Sequence, residues 1–232
     1  MDPASQVRRS FVYRRLAEAG AVFDAVADGA LAVHYGDPDG EVETALRLAI
    51  ADLSVLPRCG FKGAGAAKWL AAQGVTLGEV NGAAVQPDGT LAARLGPEEV
   101  LLLGKLDGSP GLVEDLNRAW DDSSTVEPRG YPVPRRETHA WFVVTGAQAA
   151  DMFAKLCAVD LRPQSFANHR IAQTSVARAN AIVIRADLAG TLAYHLLVDS
   201  ATADYYLPVL LDAMSEFTGG LVGHQALQAL LQ

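Results

Sequence analysis

Phe61-Lys-Gly63-Ala-Gly-Ala-Ala-Lys-Trp-Leu70 and Val144-Thr-Gly146-Ala-Gln-Ala-Ala-Asp-Met-Phe153 lie on each other without a gap. In each, an apolar strand runs through a glycine turn into a helix. Upstream of the first copy, Ala49-Ile-Ala-Asp-Leu-Ser-Val-Leu-Pro57 predicts a strand, and Arg58–Gly63 its continuation into the turn. Gly65–Gln73 predicts the helix, with Gly74 where a C-terminal cap belongs. Two strands follow, Leu91–Leu95 and Val100–Gly104, joined by Gly96-Pro-Glu-Glu99, then a helix over Gly111–Trp120.

The second copy repeats this order. Ala140–Thr145 predicts a strand and Gly146–Leu156 a helix; Ser175–Arg178, Asn180–Arg185 and Tyr194–Val198 are strands, and Ala203–Phe217 is the closing helix. Arg94…Val100-Leu-Leu-Leu103 then faces Arg185…His195-Leu-Leu-Val198. A strand–helix–strand–strand–helix unit occurs twice. One such unit cannot bury both its sheet and its helices, so two are expected to pack as one α+β body with a pseudo-twofold. The expected halves are 46–122 and 138–232, joined by a Pro-rich connector, Asp121–Arg136. Residues 1–45 read as an N-terminal helical arm, with Phe11, Leu16 and Ala19 set against Arg8, Arg9, Arg14 and Arg15. Such an arm can dock on its own core or on a partner.

Composition narrows the function classes. Of 232 residues, 50% are hydrophobic and 20% charged, an ordinary globular mixture. Nineteen basic against 27 acidic residues give a net charge of −8. The longest basic grouping, Arg135–Arg136, stands beside Glu127 and Glu137, so nucleic acid and an anionic membrane are not expected partners. Cys59 and Cys157 have neither a disulfide framework nor ligand spacing and read as small buried hydrophobes. No apolar run follows Met1-Asp-Pro-Ala-Ser-Gln-Val-Arg-Arg9, and none approaches the roughly 18 residues of a membrane span; a soluble, cytoplasmic protein is expected.

Few residues invite chemistry. Gly63-Ala-Gly65-Ala-Ala-Lys68 lacks the third glycine and the strand-ending carboxylate of a dinucleotide fingerprint, so its glycines read as turn residues. His34, His139, His169, His195 and His224 share no ligand spacing and read as surface or hydrogen-bonded core histidines; no metal site is expected. No Gly-x-Ser-x-Gly elbow occurs. Asp121-Asp122 reads as a solvated cap. Arg58, Arg94, Arg178 and Arg185 lie in or beside apolar strands, where a guanidinium must be paired or reach water. They can sit on an exposed strand face or anchor a carboxylate on a ligand or partner. Tyr131-Pro-Val-Pro-Arg-Arg136 suits a rigid extended segment laid on another surface. Arg58, Arg94, Tyr131, Arg135 and Arg136 are therefore candidate partner contacts, and no catalytic constellation stands out.

Leu56–Gly74, Pro87–Gly96, Tyr131–Arg135, Gly146–Ala149, Cys157–Arg162, Gln173–Ala177 and Gly219–Gly223 resemble, in order, the gamma subunit of heterotetrameric sarcosine oxidase. That family is similar to the folate-binding body of glycine-cleavage aminomethyltransferase, which implies the aminomethyltransferase-like fold. There a Gly-x-x-Asp-Asp strand carries the catalytic carboxylate; here the stretch is Gly89-Thr-Leu-Ala92-Ala93. In the pterin-holding segment, Arg185, Gly190 and Tyr194 match, but Leu188 and Thr191 stand at the ligand-contacting Tyr and Glu positions. Alanine cannot do acid–base work, and each lost hydrogen-bonding partner costs a polar ligand about 1–3 kcal/mol. Arg185 and Tyr194 are vestigial folate-site candidates, and this chain is expected to bind no cofactor.

The resemblance implies an accessory, non-catalytic gamma-type subunit of a flavin-dependent amine oxidoreductase that oxidatively demethylates sarcosine or a related N-methyl amino acid. Its partners would be alpha, beta and small delta subunits, which would carry FAD, FMN, NAD and tetrahydrofolate. The rival reading is a stand-alone folate-binding or C1-transfer protein of the aminomethyltransferase type. A third is a stand-alone protein using the fold for another ligand.

Overall fold

The computed structural model describes residues 1–122 and 130–232. The 123–129 part of the predicted connector lies outside them. The N-terminal stretch holds strand β1 (Arg8–Arg9), helix α1 (Tyr13–Glu18), strands β2 (Val22–Val26) and β3 (Gly29–His34), and helix α2 (Pro38–Arg47). The first half follows as β4 (Ala49–Asp52), β5 (Arg58–Lys62), α3 (Ala66–Ala72), β6 (Gly82–Val85), β7 (Leu91–Gly96), β8 (Glu99–Leu103) and α4 (Leu112–Asp122). Beyond the connector come β9 (Tyr131–Val133), α5 (Arg135–Thr138), β10 (His139–Thr145), α6 (Ala149–Ala154), β11 (Ile171–Val176), β12 (Ala179–Arg185), β13 (Ala193–Asp199) and α7 (Ala203–Ser215). Strand β14 (Gly220–Leu221) and helix α8 (His224–Ala229) end the chain.

The duplication is visible in the strand order. One sheet runs β6-β7-β8-β5-β9, the other β11-β12-β13-β10-β4-β14. The first four strands of each correspond, so the unit is β-α-β-β-β-α, one strand more than predicted for the first half. Gly63 and Gly146 hold the corresponding turns at φ +119° and +107°, which only glycine adopts without strain. The two sheets meet at Gly82 and Arg170, which pair across the pseudo-twofold. Asn81 and His169 flank that point with φ +60° and +68°, and each donates its amide to the carbonyl of an arginine, Arg94 and Arg185.

The ladders move one predicted alignment by a residue. Phe61 pairs with Val100 and Val144 with Tyr194, so Tyr194, not His195, corresponds to Val100. A slip of one residue exchanges the two faces of a strand. Val100 and Tyr194 both turn toward helices, while Leu101 and His195 turn inward.

The central strands β4, β5, β8, β10 and β13 are buried on both faces, which explains their near-continuous apolar runs, whereas the outer strands β6, β9 and β11 are partly exposed. Trp141, Val143, Ile184 and Leu197 of one sheet meet Leu91, Ala93, Leu95, Leu101 and Leu103 of the other in a central core. Phe142, Val144, Tyr194 and Leu196 face α6 and α7, where Met152, Phe153, Tyr206 and Leu210 cover them. On the far side, Phe61, Val100 and Leu102 meet Trp69 and Leu70 of α3 and Leu116 and Trp120 of α4. Val113, Leu116 and Trp120 fall on one face of α4 by their spacing of three and four.

The N-terminal prediction needs correction. Only Tyr13–Glu18 of the first 20 residues is α-helical, and β1, β3 and β2 form a small sheet. Val12 and Leu16, four apart, go into the core while Phe11 stays partly exposed. Phe23, Ala30 and Ala32 join the core beneath α6 and α7, and Leu31 joins the central one, so this stretch docks on its own chain. The connector is also more than a spacer: β9 pairs antiparallel with β5, with Pro132 tolerated because β9 is an edge strand. Ala177 and Arg178, predicted as strand, form the β11–β12 turn at φ +48° and +65°. Among the described residues no helix is long and apolar enough to cross a membrane.

Candidate functional site

Between the two sheets, at one end, lies a cavity of about 310 Å3. Val85 and Leu91 of β6 and β7, Leu103 of β8, Trp141 of β10 and Leu188 supply apolar walls, and Leu231 closes one side. This size is at the low end of small-molecule pockets, about 300–1,000 Å3. Strand alternation puts Trp141 and His195 inward together, since their neighbours Phe142 and Tyr194 face the helices.

The Trp141 indole N–H donates to His195 Nδ1 at 3.1 Å. The ring centroids are 5.7 Å apart. An indole can only donate, so Nδ1 must be an acceptor and the neutral imidazole carries its proton on Nε2. Burial pushes His195 down to about 4, which leaves it uncharged at neutral pH. His195 is 3% exposed. Among the described residues its Nε2–H has no hydrogen-bond partner.

The charged groups at the cavity are compensated within the chain. Asp88 accepts from the amides of Thr90 and Leu112 and from Thr90 Oγ1, bonds that outweigh burial and hold its carboxyl below the usual range. Lys105 lies 3.6 Å from Asp107 and donates to Ser109 Oγ. Asp187 is held by Arg185 in a two-point bond of 3.0 and 2.7 Å. The site therefore presents a largely apolar chamber in which the His195 Nε2–H and the His169 ring have no hydrogen-bond partner among the described residues, and no carboxylate is free to act as a base. Among the described residues, no group of three His, Cys, Asp or Glu side chains could hold a metal ion.

Neither folate-site candidate reaches the cavity. Arg185 is occupied by Asp187 and by the carbonyls of Phe166 and Pro163. Tyr194 packs on Phe153 on the helix side and donates to the Leu161 carbonyl. Ala92 and Ala93 are fully buried in the cores on opposite faces of β7. Of the corresponding stretches, Gly89 and Leu188 do line the cavity. Histidine spacing does not single out His195; its signal in the sequence is that it is the one polar residue on the inward phase of Tyr194–Val198.

The candidate contact residues separate into two kinds. Arg58 is 3% exposed. It donates to the carbonyls of Ser54, Leu56, Arg135, Arg136 and His139, an internal clamp. Arg135 pairs with Glu99, and Arg136 with Asp28 and the Val55 carbonyl. Among the described residues Arg94 reaches the carbonyls of Gly78 and Pro97, at 3.4 and 3.5 Å. Tyr131 on β9 is 56% exposed. Arg8, Pro132, Pro134, Arg136 and Glu137 line one surface groove, so the N-terminal stretch and the connector share a face.

No family model matches the chain. No curated protein matches it in sequence. Solved structures do. A chain of the heterotetrameric sarcosine oxidase from Corynebacterium sp. U-96 is 23% identical, with a TM-score of 0.67, over 92% of this chain and 98% of that one. The glycine cleavage system aminomethyltransferase T from Bartonella henselae is 15% identical, with a TM-score of 0.76, over 97% of this chain but only 62% of that one. The chain thus has the α+β fold shared by that aminomethyltransferase and a chain of that sarcosine oxidase.

Proposed function

We propose that this chain is an accessory, non-catalytic gamma-type subunit of a flavin-dependent amine oxidoreductase of the sarcosine oxidase type. The observation that carries this reading is the pair of coverages. The chain and its sarcosine oxidase counterpart match nearly end to end, whereas the aminomethyltransferase is much longer than the matched part. Ala92 and Ala93 at the carboxylate positions, and the absence of an uncompensated carboxylate among the described residues at the cavity, support a scaffold over a transferase.

In this reading the partners are alpha, beta and small delta subunits, which hold FAD, FMN, NAD and tetrahydrofolate, and the complex demethylates sarcosine or a related N-methyl amino acid in the cytoplasm. The face shared by the N-terminal stretch and Tyr131–Arg136 is the contact surface, with Tyr131 its exposed aromatic anchor. A permanent interface of this kind buries about 2,000 Å2 or more.

The test is affinity purification of the chain from its native host, reading mass and visible absorbance on the eluate. Large co-eluting chains with a flavin band that an N-methyl amino acid bleaches are expected. Elution alone and colourless overturns the proposal. The rival transferase reading, which the higher TM-score with the aminomethyltransferase favours, predicts saturable tetrahydrofolate binding by the isolated chain.

A further inference from the structure

We propose that the cavity between the sheets binds a small, uncharged ring compound that presents a carbonyl or ring-nitrogen acceptor to His195 Nε2. The donor's direction of use follows from its partner: Trp141 occupies Nδ1, so Nε2 carries the proton and can only donate. Nε2 opens on the cavity with no partner from the chain, so an acceptor delivered by a ligand completes a hydrogen bond that the protein itself does not make. Trp141, Leu91, Leu103 and Leu188 supply apolar walls suited to a ring.

The ligand's charge is set by what the walls lack. Asp88, Lys105 and Asp187 each already hold partners within the chain, so an ion entering the chamber would lose its water and have to compete with those partners for a counter-charge. The entrance is apolar too: Val85 and Leu231 line the cavity and are 55% and 47% exposed. Exposed side chains of this kind at a pocket mouth suit passage of an apolar molecule. The inference concerns this chain alone and holds whether or not it assembles with partners.

Acetophenone, which has the acceptor, and ethylbenzene, which lacks it, are suitable probes on the full chain. With histidine ring nitrogens labelled, acetophenone should shift the His195 Nε2–H resonance saturably at neutral pH, and ethylbenzene should bind about tenfold more weakly. His195→Phe should weaken acetophenone by about the same factor and leave ethylbenzene unchanged. Should that variant not fold, the ring-nitrogen titration of the parent chain decides alone. An unshifted His195 at the solubility limit of acetophenone overturns the proposal, as does equal binding of the two compounds. Displacement of acetophenone by tetrahydrofolate overturns the restriction to small rings. Partner capture reports on assembly only, so the two proposals fail separately.

Discussion

Arg58→Leu should cost this protein about 3–5 kcal/mol, the range for stripping a buried charge from its partners. The guanidinium makes five hydrogen bonds, all to carbonyls. Two go to Ser54 and Leu56 just before it, and three to Arg135, Arg136 and His139, which lie 77, 78 and 81 residues away. Burial lowers the arginine to about 9, with nearby Asp52 opposing, so it remains charged at neutral pH. A hydrogen bond to a charged group contributes about 1.5–3 kcal/mol, so five taken separately exceed the expected loss; water entry and relaxation account for the difference. At about 2–4 °C per kcal/mol for a domain of this size, the melting midpoint should fall by roughly 10 °C. Arg58→Lys keeps the charge but offers three donors without the planar fork, so an intermediate loss is expected. Urea unfolding followed by tryptophan fluorescence measures it. A loss below about 1 kcal/mol would refute the clamp. Unchanged melting with abolished partner capture would make Arg58 a contact residue instead.

Three further outcomes are expected. Burial lowers His195 to about 4, so between its unfolded value near 6.5 and pH 4 the unfolded chain binds the extra proton and stability falls as pH falls. His139 adds to this, its ring lowered to about 4 by burial and then Arg135, while buried Asp52, raised by burial, acts with the opposite sign. His195→Gln should flatten the slope of stability against pH in that window by up to about 1.4 kcal/mol per pH unit, and an unchanged slope would remove His195 from the account. Gly146→Ala combines φ +107° with a Cβ 2.4 Å from the Arg47 carbonyl carbon, whereas Gly20→Ala at φ +90° meets open space. Thermal melts should show the first losing more than about 2 kcal/mol and the second only about 1; equal losses would refute the steric argument. Glu41→Ala removes the acceptor of the Tyr35 and Gly223 amides, 2.6 and 2.7 Å away, and hydrogen exchange should rise at both amides and along α8, with a loss of about 2–4 kcal/mol. Unchanged exchange at Gly223 would show that α8 is held by its apolar face alone.

Much of the fold was legible because it is written in short-range pattern. The matching Phe61–Leu70 and Val144–Phe153 stretches both run from strand through a positive-φ glycine into a helix, and Trp69 and Leu70 are buried just as Met152 and Phe153 are. What escaped had weak local signals. Strand β6 is Gly-Ala-Ala-Val, too small to show alternation, and the Ala177-Arg178 turn has none of the Gly or Asn that normally marks φ > 0. In the N-terminal stretch the charged arginines suggested a solvated helix face, yet Arg8 and Arg15 reach Glu137 and Asp204 at long range, and Asp28 of the same stretch is paired with Arg136 of the connector.

The site divides in the same way. By itself the sequence determined a duplicated α+β body, its glycine turns, its apolar strands, and alanines at the positions where the resemblance would place carboxylates, because these depend on residue type and spacing alone. Tertiary structure alone decided that Tyr194 faces helices while His195 faces a cavity, that Trp141 consumes one imidazole nitrogen, and that Arg58 closes on carbonyls from the connector and the start of the second half. The reason is physical: alternation says that adjacent residues point to opposite faces, but which face meets the second sheet is fixed by cross-strand register and packing between segments far apart in the chain.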